Sequence, residues 1–335
     1  AENGHGEEAL QCLTQIESNG LTLDASAFVC VLKACGVIGI RALSKGQELH
    51  ADIVQKGFLE RNVFIGSVLV DMYAKCGYLA EASSIFGGLK ARNIVIWTAL
   101  ISGYVEHGLG DVALSLSEQM QIENISPNAV TLICWLRACG SIKNIQRGDK
   151  LYMDVVIYGL ENELLVGNAI IDMYMKCGYI ELGRQIFEDL PNRNLMTWNS
   201  IIAGHVQHGH EIIAFELFEK MGDEGITPDN ITFSCIARAC GIQRSLVQGR
   251  LIHNKFVLYG NYTDLYAANT IINMYAECGS LEDAISTFDR ILKRDVISWS
   301  AMIAAYAQHG YGENALELFY DMVAHGTKPD EVTYL

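Results

Sequence analysis

Cysteine and histidine recur at regular distances along the chain, and both residue types can bind zinc or carry out nucleophilic chemistry. Each type repeats at an interval of 101 residues: Cys76, Cys177 and Cys278, and His107, His208 and His309. That interval is far from zinc-ligand spacing, and no C-x-x-C pair occurs among the ten cysteines. The cysteines in Ala-Cys-Gly and Lys-Cys-Gly stand at predicted helix ends, where they suit small buried positions as reduced thiols. We therefore expect no metal and no cofactor.

Two short motifs imitate enzyme signatures. His5-Gly6-Glu7 has the H-x-E half of a zinc deaminase signature, but its P-C-x-x-C partner is absent from the sequence. Gly108-Leu109-Gly110-Asp111-Val112-Ala113 resembles a dinucleotide-binding loop. Such a loop follows a strand, whereas this segment lies between two predicted helices. We expect no catalytic residue and no small-molecule substrate.

The overall charge limits the classes of partner. The chain has 335 residues, with 24 basic and 39 acidic side chains and a net charge of −15. Nonspecific binding of a polyanion is disfavoured, because phosphate neutralisation needs an excess of Lys and Arg. Half of the residues are hydrophobic, which indicates an ordered protein. No uninterrupted apolar run approaches the ~18 residues of a membrane helix, so no membrane partner is expected.

The elements that carry these residues repeat along the chain. The tryptophans Trp97, Trp198 and Trp299 are 101 residues apart, and so are the prolines Pro127, Pro228 and Pro329. Each 101-residue block divides into pieces of 31, 35 and 35 residues. The predicted repeats are 1–24 (partial), 25–62, 63–93, 94–128, 129–163, 164–194, 195–229, 230–264, 265–295, 296–330 and 331–335 (partial). About three extra residues fall near 39–43. Because both ends cut through a repeat, we expect residues 1–335 to be one continuous segment of a longer array.

Each piece has the pattern of two helices. In repeat 164–194, one face of the first helix has the i, i+3, i+4, i+7 spacing of Ile170, Met173, Tyr174 and Cys177. Gly178 then breaks the helix, and the face of the second contains Leu182, Ile186 and Leu190. No segment alternates as a strand does. Helical hairpins of this size must stack on neighbours to bury their apolar faces, so we predict an all-α fold, an α-solenoid of stacked helix-turn-helix repeats.

Three kinds of segment carry a family resemblance: NAIIDMYMKCGYIELGRQIFEDLPNRN, WNSIIAGHVQHGHEIIAFELFEKMGDEGITPD and FSCIARACGIQRSLVQGRLIHNKFVLYG. They resemble the short, standard and long motifs of pentatricopeptide repeat (PPR) proteins, and their alternation is similar to the PLS subclass of land plants. Tetratricopeptide repeats instead have a constant 34-residue period and a W-x2-L-G-x2-Y pattern, neither of which is present.

The resemblance implies a right-handed superhelix that binds single-stranded RNA by sequence, one base per repeat and in parallel orientation. PLS members mostly serve C-to-U RNA editing of organellar transcripts, so it also implies a mitochondrial or chloroplast location. Editing-complex proteins, or a deaminase acting in trans, are further candidate partners. The alternative is a helical-repeat scaffold for protein–protein interaction, which the acidic charge favours.

In this family the fifth and last residues of a repeat face the Watson–Crick edge of a base, and the second residue helps to sandwich it. The matching base-recognition residues are Ser67, Asn93, Thr98, Asn128, Asn168, Asn194, Asn199, Asp229, Asn269, Asp295, Ser300 and Asp330. The matching stacking residues are Phe64, Val95, Leu165, Met196, Tyr266 and Ile297. Two plainer readings remain open, namely helix N-capping for the polar residues and core packing for the apolar ones.

Hydrogen-bond chemistry assigns bases to these pairs. A carboxylate only accepts hydrogen bonds, whereas an amide also donates, so Asp should select U or G and Asn should select A or C. A short hydroxyl at the fifth position leaves room for a purine, and the longer Asn reaches a pyrimidine. From repeat 63–93 to repeat 296–330 the predicted register is 5′-A-A-n-Y-U-n-U-G-3′. The letter n marks the long repeats 129–163 and 230–264, to which no base is assigned.

A few basic residues also recur. Lys33, Arg137 and Arg238 occupy the same place in the first helix of each long repeat. Lys75 and Lys176 recur in the short repeats, where Glu277 breaks the pattern. These five residues are candidate phosphate contacts, although a solvated helix face would show the same pattern.

Overall fold

The computed structural model describes residues 6–18, 23–259 and 264–334, and the regular elements in these ranges are all helices. The chain divides into two compact units, Ala1–Cys177 and Gly178–Leu335. His5 of the H-x-E motif lies outside the described residues, as do parts of the predicted partial repeats at both ends.

In the first unit the helices are α1 Gly6–Ser18, α2 Ala25–Ile38, α3 Leu43–Gln55, α4 Phe58–Arg61, α5 Val63–Lys75, α6 Leu79–Gly88, α7 Ile94–Glu106, α8 Gly110–Ile122, α9 Ala129–Ser141, α10 Ile145–Ile157 and α11 Leu164–Lys176. A 3-10 turn, Gly39–Ala42, lies where the extra residues of repeat 25–62 were expected. The first helices α2, α5, α7, α9 and α11 pack on one another in sequence, and α6, α8 and α10 each pack on the helix before them.

In the second unit the helices are α12 Ile180–Asp189, α13 Leu195–Gln207, α14 Glu211–Asp223, α15 Asn230–Ile242, α16 Leu246–Leu258, α17 Leu265–Glu277, α18 Leu281–Asp289, α19 Val296–Gln308, α20 Gly312–Ala324 and α21 Glu331–Tyr334. The same layering recurs, with α13, α15, α17, α19 and α21 in one layer and the second helices in the other. Each unit is therefore a stack of helical hairpins, and the predicted α-solenoid is confirmed. The right-handedness of the superhelix stays a prediction.

The first helices begin where polar residues can cap them. In the described part of the chain, ten helices start at residues 25, 63, 94, 129, 164, 195, 230, 265, 296 and 331, the first residues of predicted repeats. Asn128, for example, accepts a hydrogen bond from the Thr131 backbone N–H at 3.0 Å. Such a cap satisfies one of the backbone donors left without an intrahelical partner and stabilises the helix by about 1 kcal/mol. Where such a cap exists, the last residue of a repeat is thus tied to the start of the next.

An aromatic pair holds each short repeat to the standard repeat that follows. Trp97, Trp198 and Trp299 are buried, and each meets a phenylalanine edge to face, with ring centroids 4.6–5.2 Å apart: Phe86, Phe187 and Phe288. Such pairs contribute about 0.5–1.5 kcal/mol beyond the area that they bury. These contacts explain why tryptophan follows the 101-residue period.

One stretch departs from the expectation about membranes. Ala25–Gln55 is long and apolar enough, by length and composition alone, to cross a membrane. Its two helices, α2 and α3, pack on each other across Gly39, whose φ of +74° ends the first helix. Phe28, Leu32 and Cys35 of α2 are buried in the hairpin core. The apolar residues of α2 therefore serve the packing of this first described hairpin.

Candidate nucleic-acid interface

The second residues of the repeats are exposed rather than buried. Phe64, Val95, Leu165, Met196, Tyr266 and Ile297 have 49–69% of their surface accessible. Val130 and Ile231, at the same position in the long repeats, are also about half exposed. Core packing therefore does not account for these apolar side chains. Within each unit these flat or branched side chains lie at the starts of the first helices, where they are suited to stacking against planar groups.

The last residues of the short and standard repeats all act as N-caps. Asn93, Asn128, Asn194, Asp229, Asp295 and Asp330 each accept a backbone N–H of the next helix through Oδ1, at 2.8–3.1 Å. Capping uses one of the two terminal atoms of the side chain. The other is Oδ2 in aspartate, an acceptor, and Nδ2 in asparagine, a donor. Capping and base reading are thus compatible, because the cap engages Oδ1 and determines whether the other terminal atom is an acceptor or a donor.

In repeat 195–229 the fifth and last residues are directly bonded to each other. Asn199 Nδ2 donates to Asp229 Oδ1 at 3.0 Å, and Asn199 Oδ1 accepts from the Thr232 hydroxyl at 2.6 Å. The Thr232 backbone N–H also donates to Asp229 Oδ1 at 2.9 Å. Among the described residues, all the hydrogen bonds of the Asp229 side chain therefore fall on Oδ1, and Oδ2 is the acceptor that remains.

Repeats 94–128 and 296–330 connect the same two positions through a hydroxyl. Thr98 Oγ1 lies 2.9 Å from Thr131 Oγ1, which donates to Asn128 Oδ1 at 2.9 Å. Ser300 Oγ lies 2.7 Å from Thr333 Oγ1, which donates to Asp330 Oδ1 at 2.7 Å. Hydrogen bonds from Thr333 lower the pKa of Asp330, which keeps this carboxylate ionised.

The other three pairs differ in detail. Asn269 Nδ2 donates to Asp295 Oδ1 at 3.4 Å, and the buried Asn269 Oδ1 has no partner in the described residues. Ser67 instead donates to the backbone carbonyl of Phe64 at 2.7 Å. Asn168 is buried in the first unit, and Asn194 caps α13 in the second.

The fifth residues lie deeper than the last residues. Ser67, Asn168, Asn199, Asn269 and Ser300 are 3–8% exposed, and Thr98 is half-buried. The last residues are half-buried or exposed. A base that approaches this surface would therefore meet the last residue first, with the fifth residue beneath it.

The recurring basic residues fall into two groups. Lys75 and Lys176 are paired with Asp71 and Asp172, one turn earlier, at 2.8 and 2.7 Å. These ion pairs compete with a phosphate contact. Arg137 and Arg238 are exposed and make no ion pair with any described residue, whereas Lys33 is half-buried in α2.

Three arginines that the sequence analysis did not single out precede candidate recognition residues directly. Arg92, Arg193 and Arg294 stand one position before Asn93, Asn194 and Asp295, and each guanidinium lies 4.2–4.8 Å from a phenylalanine ring of the short repeat. Each Nε also donates to the backbone carbonyl of that phenylalanine at 2.9–3.2 Å. The connection that carries the capping residue is thereby held in place. Their 101-residue interval was the signal that would have identified them.

The recurring cysteines pack within the helix layers. Cys76, Cys177 and Cys278 each direct Sγ toward the carbonyl oxygen of a cysteine on the preceding first helix, at 3.6–4.0 Å. Burial raises the pKa of Cys139 and of Cys240 to about 12. None of the ten cysteines forms a disulfide. No group of three or more His, Cys, Asp or Glu in the described ranges could hold a metal ion.

Comparison with known proteins agrees with this architecture. The sequence model of the PPR repeat family matches residues 92–141, 193–241 and 294–335, and that of the PPR repeat matches residues 67–94, 168–195 and 266–296. The crystal structure of pentatricopeptide repeat protein PPR10 in complex with an 18-nt psaJ RNA element superposes with a TM-score of 0.65. At 18% identity, over 99% of this chain and 55% of that one, this likeness is one of fold.

Two Arabidopsis thaliana proteins are similar in sequence along nearly the whole chain. Pentatricopeptide repeat-containing protein At4g18520, chloroplastic, is 31% identical over 99% of this chain and 53% of its own length. Pentatricopeptide repeat-containing protein At3g24000, mitochondrial, is 35% identical over 96% of this chain and 50% of its own length. The chain thus spans about half the length of these relatives. The two repeat models together match well over half of its residues, and the chain belongs to the pentatricopeptide repeat family.

Proposed function

We propose that this chain binds single-stranded RNA by sequence, one base per repeat. The observation that carries the proposal is the arrangement in repeat 195–229. Asn199 and Asp229 are hydrogen-bonded to each other at 3.0 Å, beside the exposed apolar residues Met196 and Ile231 at the starts of two successive first helices. A base placed between Met196 and Ile231 would have both faces covered and its edge against Asp229. Stacking contacts of this kind contribute about 1–3 kcal/mol per base for aromatic residues.

The terminal side-chain atom other than Oδ1 determines which Watson–Crick edge a capping residue can bind. Asp229, Asp295 and Asp330 have Oδ2 to accept from uracil N3–H or guanine N1–H. Asn93 and Asn128 have Nδ2 to donate to adenine N1 or cytosine N3. These atoms support the register 5′-A-A-n-Y-U-n-U-G-3′. Because Asn199 and Asn269 are longer than serine or threonine, they suit the smaller pyrimidine.

We further propose that the chain is the specificity module of an organellar RNA-processing factor, with C-to-U editing as its process. The alternating repeat lengths of 31, 35 and 35 residues support the PLS subclass. The two Arabidopsis relatives, one named chloroplastic and one mitochondrial, support an organellar location. PPR10, which shares the fold, was crystallised in complex with an RNA element, and this supports RNA as the partner. In this proposal a deaminase domain in the same protein, or one recruited with editing-complex proteins, supplies the chemistry.

Selection from a random RNA pool, at a stated salt concentration, tests the proposed function. We expect enrichment of sequences that contain the predicted register in 5′ to 3′ order, with no preference at the two positions marked n. A pool that shows no enrichment over the input would overturn RNA recognition and favour the protein-interaction scaffold. Enrichment of an unrelated sequence would retain RNA binding and overturn the base assignments.

A further inference from the structure

A buried hydroxyl recurs three residues into the first helices. It belongs to Thr131, Thr197, Thr232, Ser298 and Thr333, which are 0–8% exposed. In four of these positions the hydroxyl lies within 2.9 Å of a side-chain oxygen of the residue that caps its helix: Thr131 with Asn128, Thr232 with Asp229, Ser298 with Asp295, and Thr333 with Asp330. Its burial keeps it from touching a bound base. Any influence on recognition must pass through the residues that it contacts.

A hydroxyl has one proton to donate, which fixes the direction of the chain of hydrogen bonds in repeat 296–330. The carboxylate oxygen of Asp330 can only accept, so the proton of Thr333 points to it at 2.7 Å. The contact between Ser300 and Thr333, also 2.7 Å, is then made by the proton of Ser300. Ser300 has no proton left for a ligand and can only accept. Together with Asp330 Oδ2 it offers two acceptors, the complement of guanine N1–H and N2–H.

Assigning the hydroxyl protons in the same way in repeat 94–128 leaves a different pair of hydrogen-bonding groups for a base. Asn128 Oδ1 already accepts the Thr131 backbone N–H at 3.0 Å, which places the amide oxygen, not the nitrogen, toward the helix. Thr131 therefore donates its hydroxyl proton to Asn128, and Thr98 donates to Thr131 at 2.9 Å. Thr98 is left as an acceptor and Asn128 Nδ2 as a donor. An acceptor beside a donor is the complement of adenine N6–H and N1.

In repeat 195–229 the hydroxyl orients an amide instead. The single Thr232 proton goes to Asn199 Oδ1 at 2.6 Å, the shorter of its two contacts, because Asn199 Nδ2 already donates to Asp229 Oδ1 at 3.0 Å. A reversed amide would place two oxygens against each other at Asp229, so this orientation is the favourable one. One N–H of Asn199 and Oδ2 of Asp229 remain. A donor beside an acceptor is the complement of uracil O4 and N3–H.

We propose that Thr131, Thr232 and Thr333 are positioning residues, whose hydroxyl sets whether the fifth residue of the preceding repeat donates to a base or accepts from it. The proposal rests on the proposed RNA-binding function. It adds to the fifth and last residues a third determinant, which lies in the next repeat and does not contact RNA. Repeat 63–93 has no such hydroxyl, because the third residue of the repeat that follows it is Ile96. Its fifth residue, Ser67, donates instead to a backbone carbonyl of its own helix.

Competition binding of the whole 335-residue chain to oligonucleotides with A or G at the second register position tests this inference. Thr131→Val removes the hydroxyl at nearly constant volume, so the Thr98 proton loses its acceptor and guanine O6 can take it. We expect the A-to-G affinity ratio to fall about tenfold, within the range for one edge contact. Thr131→Ser, which restores the hydroxyl, should stay within about twofold of the native ratio. Ile96→Val is the matched control, since it alters the third residue where no hydroxyl exists and should leave the ratio unchanged.

Thr232→Val provides a second test, in repeat 195–229, because it removes the hydroxyl that donates to the Asn199 side-chain carbonyl. The U-to-C ratio at the fifth register position should then fall. Thermal melting of every variant confirms that it is folded. Folded Thr131→Val and Thr232→Val chains with native base ratios would overturn the inference and leave the proposed function intact. A native chain without base preference at either position would overturn the proposed function itself, and this inference with it.

Discussion

Replacing Asp229 by Asn exchanges Oδ2, which has no hydrogen-bond partner among the residues that the structure describes, for an amide nitrogen. Oδ1 would still accept from the Thr232 backbone and from Asn199, now 2.9 and 3.0 Å away, because both groups are donors. Asparagine caps helices about as well as aspartate, so the helix start should be preserved. The atom presented to a base changes from an acceptor to a donor. The N3–H donor of uracil then faces another donor and cannot bond to it, whereas the N3 acceptor of cytosine can accept a hydrogen bond from it.

One such edge contact discriminates between bases by about 1–3 kcal/mol, so the U-to-C affinity ratio at the fifth register position should fall roughly tenfold to a hundredfold. The assay is competition binding with oligonucleotides that differ only at that base, at fixed salt. Asp24→Asn is the matched control, because Asp24 also caps a helix and carries the same charge, but it lies in the partial repeat 1–24. Its U-to-C ratio should be native, whereas its general RNA affinity should rise as in Asp229→Asn. Equal ratios in the native, Asp24→Asn and Asp229→Asn chains would refute base reading by Asp229.

Four further predictions follow from contacts described above or from the local packing. Tyr266→Ala should weaken RNA binding about tenfold to a hundredfold by loss of stacking, whereas Tyr320→Ala, equally exposed on a second helix, should not; equal losses in a filter-binding titration would contradict a stacking role. Arg137→Gln should lower the slope of log affinity against log salt by about 0.7, whereas the ion-paired Lys75→Gln should change it little, and the reverse order would contradict the assignment. Gly103→Ala should destabilise the fold by about 1–3 kcal/mol in urea unfolding, because its Cβ would overlap Ala74, whereas Gly222→Ala, with open space around it, should stabilise it by up to about 1 kcal/mol. His205 is buried with no hydrogen-bond partner for either ring nitrogen in the described residues, and burial lowers its pKa to about 4. Since the unfolded chain takes up this proton below about pH 6.5, the free energy of unfolding should fall by about 3 kcal/mol between pH 6.5 and 4. His205→Phe should flatten that decline, and an unchanged slope in the variant would disprove the role of His205.

The periodic features of the sequence predicted most of the architecture. Glycines such as Gly178, with a φ of +84°, end first helices where expected, and asparagine or aspartate caps such as Asn194 begin the first helices of later repeats. The face of the short second helix α12 was predicted less well. Leu182 is 40% exposed, and the buried face contains Gly183, Phe187 and Leu190. A glycine carries no hydrophobic signal, yet its small size places it on a buried helix face.

The local surroundings of the candidate site could not be read from spacing alone. Thr131 and Thr98 are 33 residues apart, and their contact exists only because α7 and α9 pack side by side. In the sequence such a threonine has the pattern of an ordinary capping residue. The ion pairs of Lys75 and Lys176, in contrast, could have been predicted from the sequence. Asp71 and Asp172 precede Lys75 and Lys176 by one helical turn, and the third block has Asn273 and Glu277 at these positions, so that both partners change together.

The capping of each helix by the preceding repeat has a consequence for protein engineering. A graft that replaces residues 94–128 as one block would separate Thr98 and Asn128 from Thr131, whose hydroxyl contacts both and which belongs to the next segment. A transplanted block would then operate with whatever residue the host supplies three positions beyond the junction. The exchangeable module is better drawn from 94 through 131, so that the donor chain brings its own hydroxyl. Designed arrays joined at helix starts should lose fidelity at every junction where the host residue is apolar.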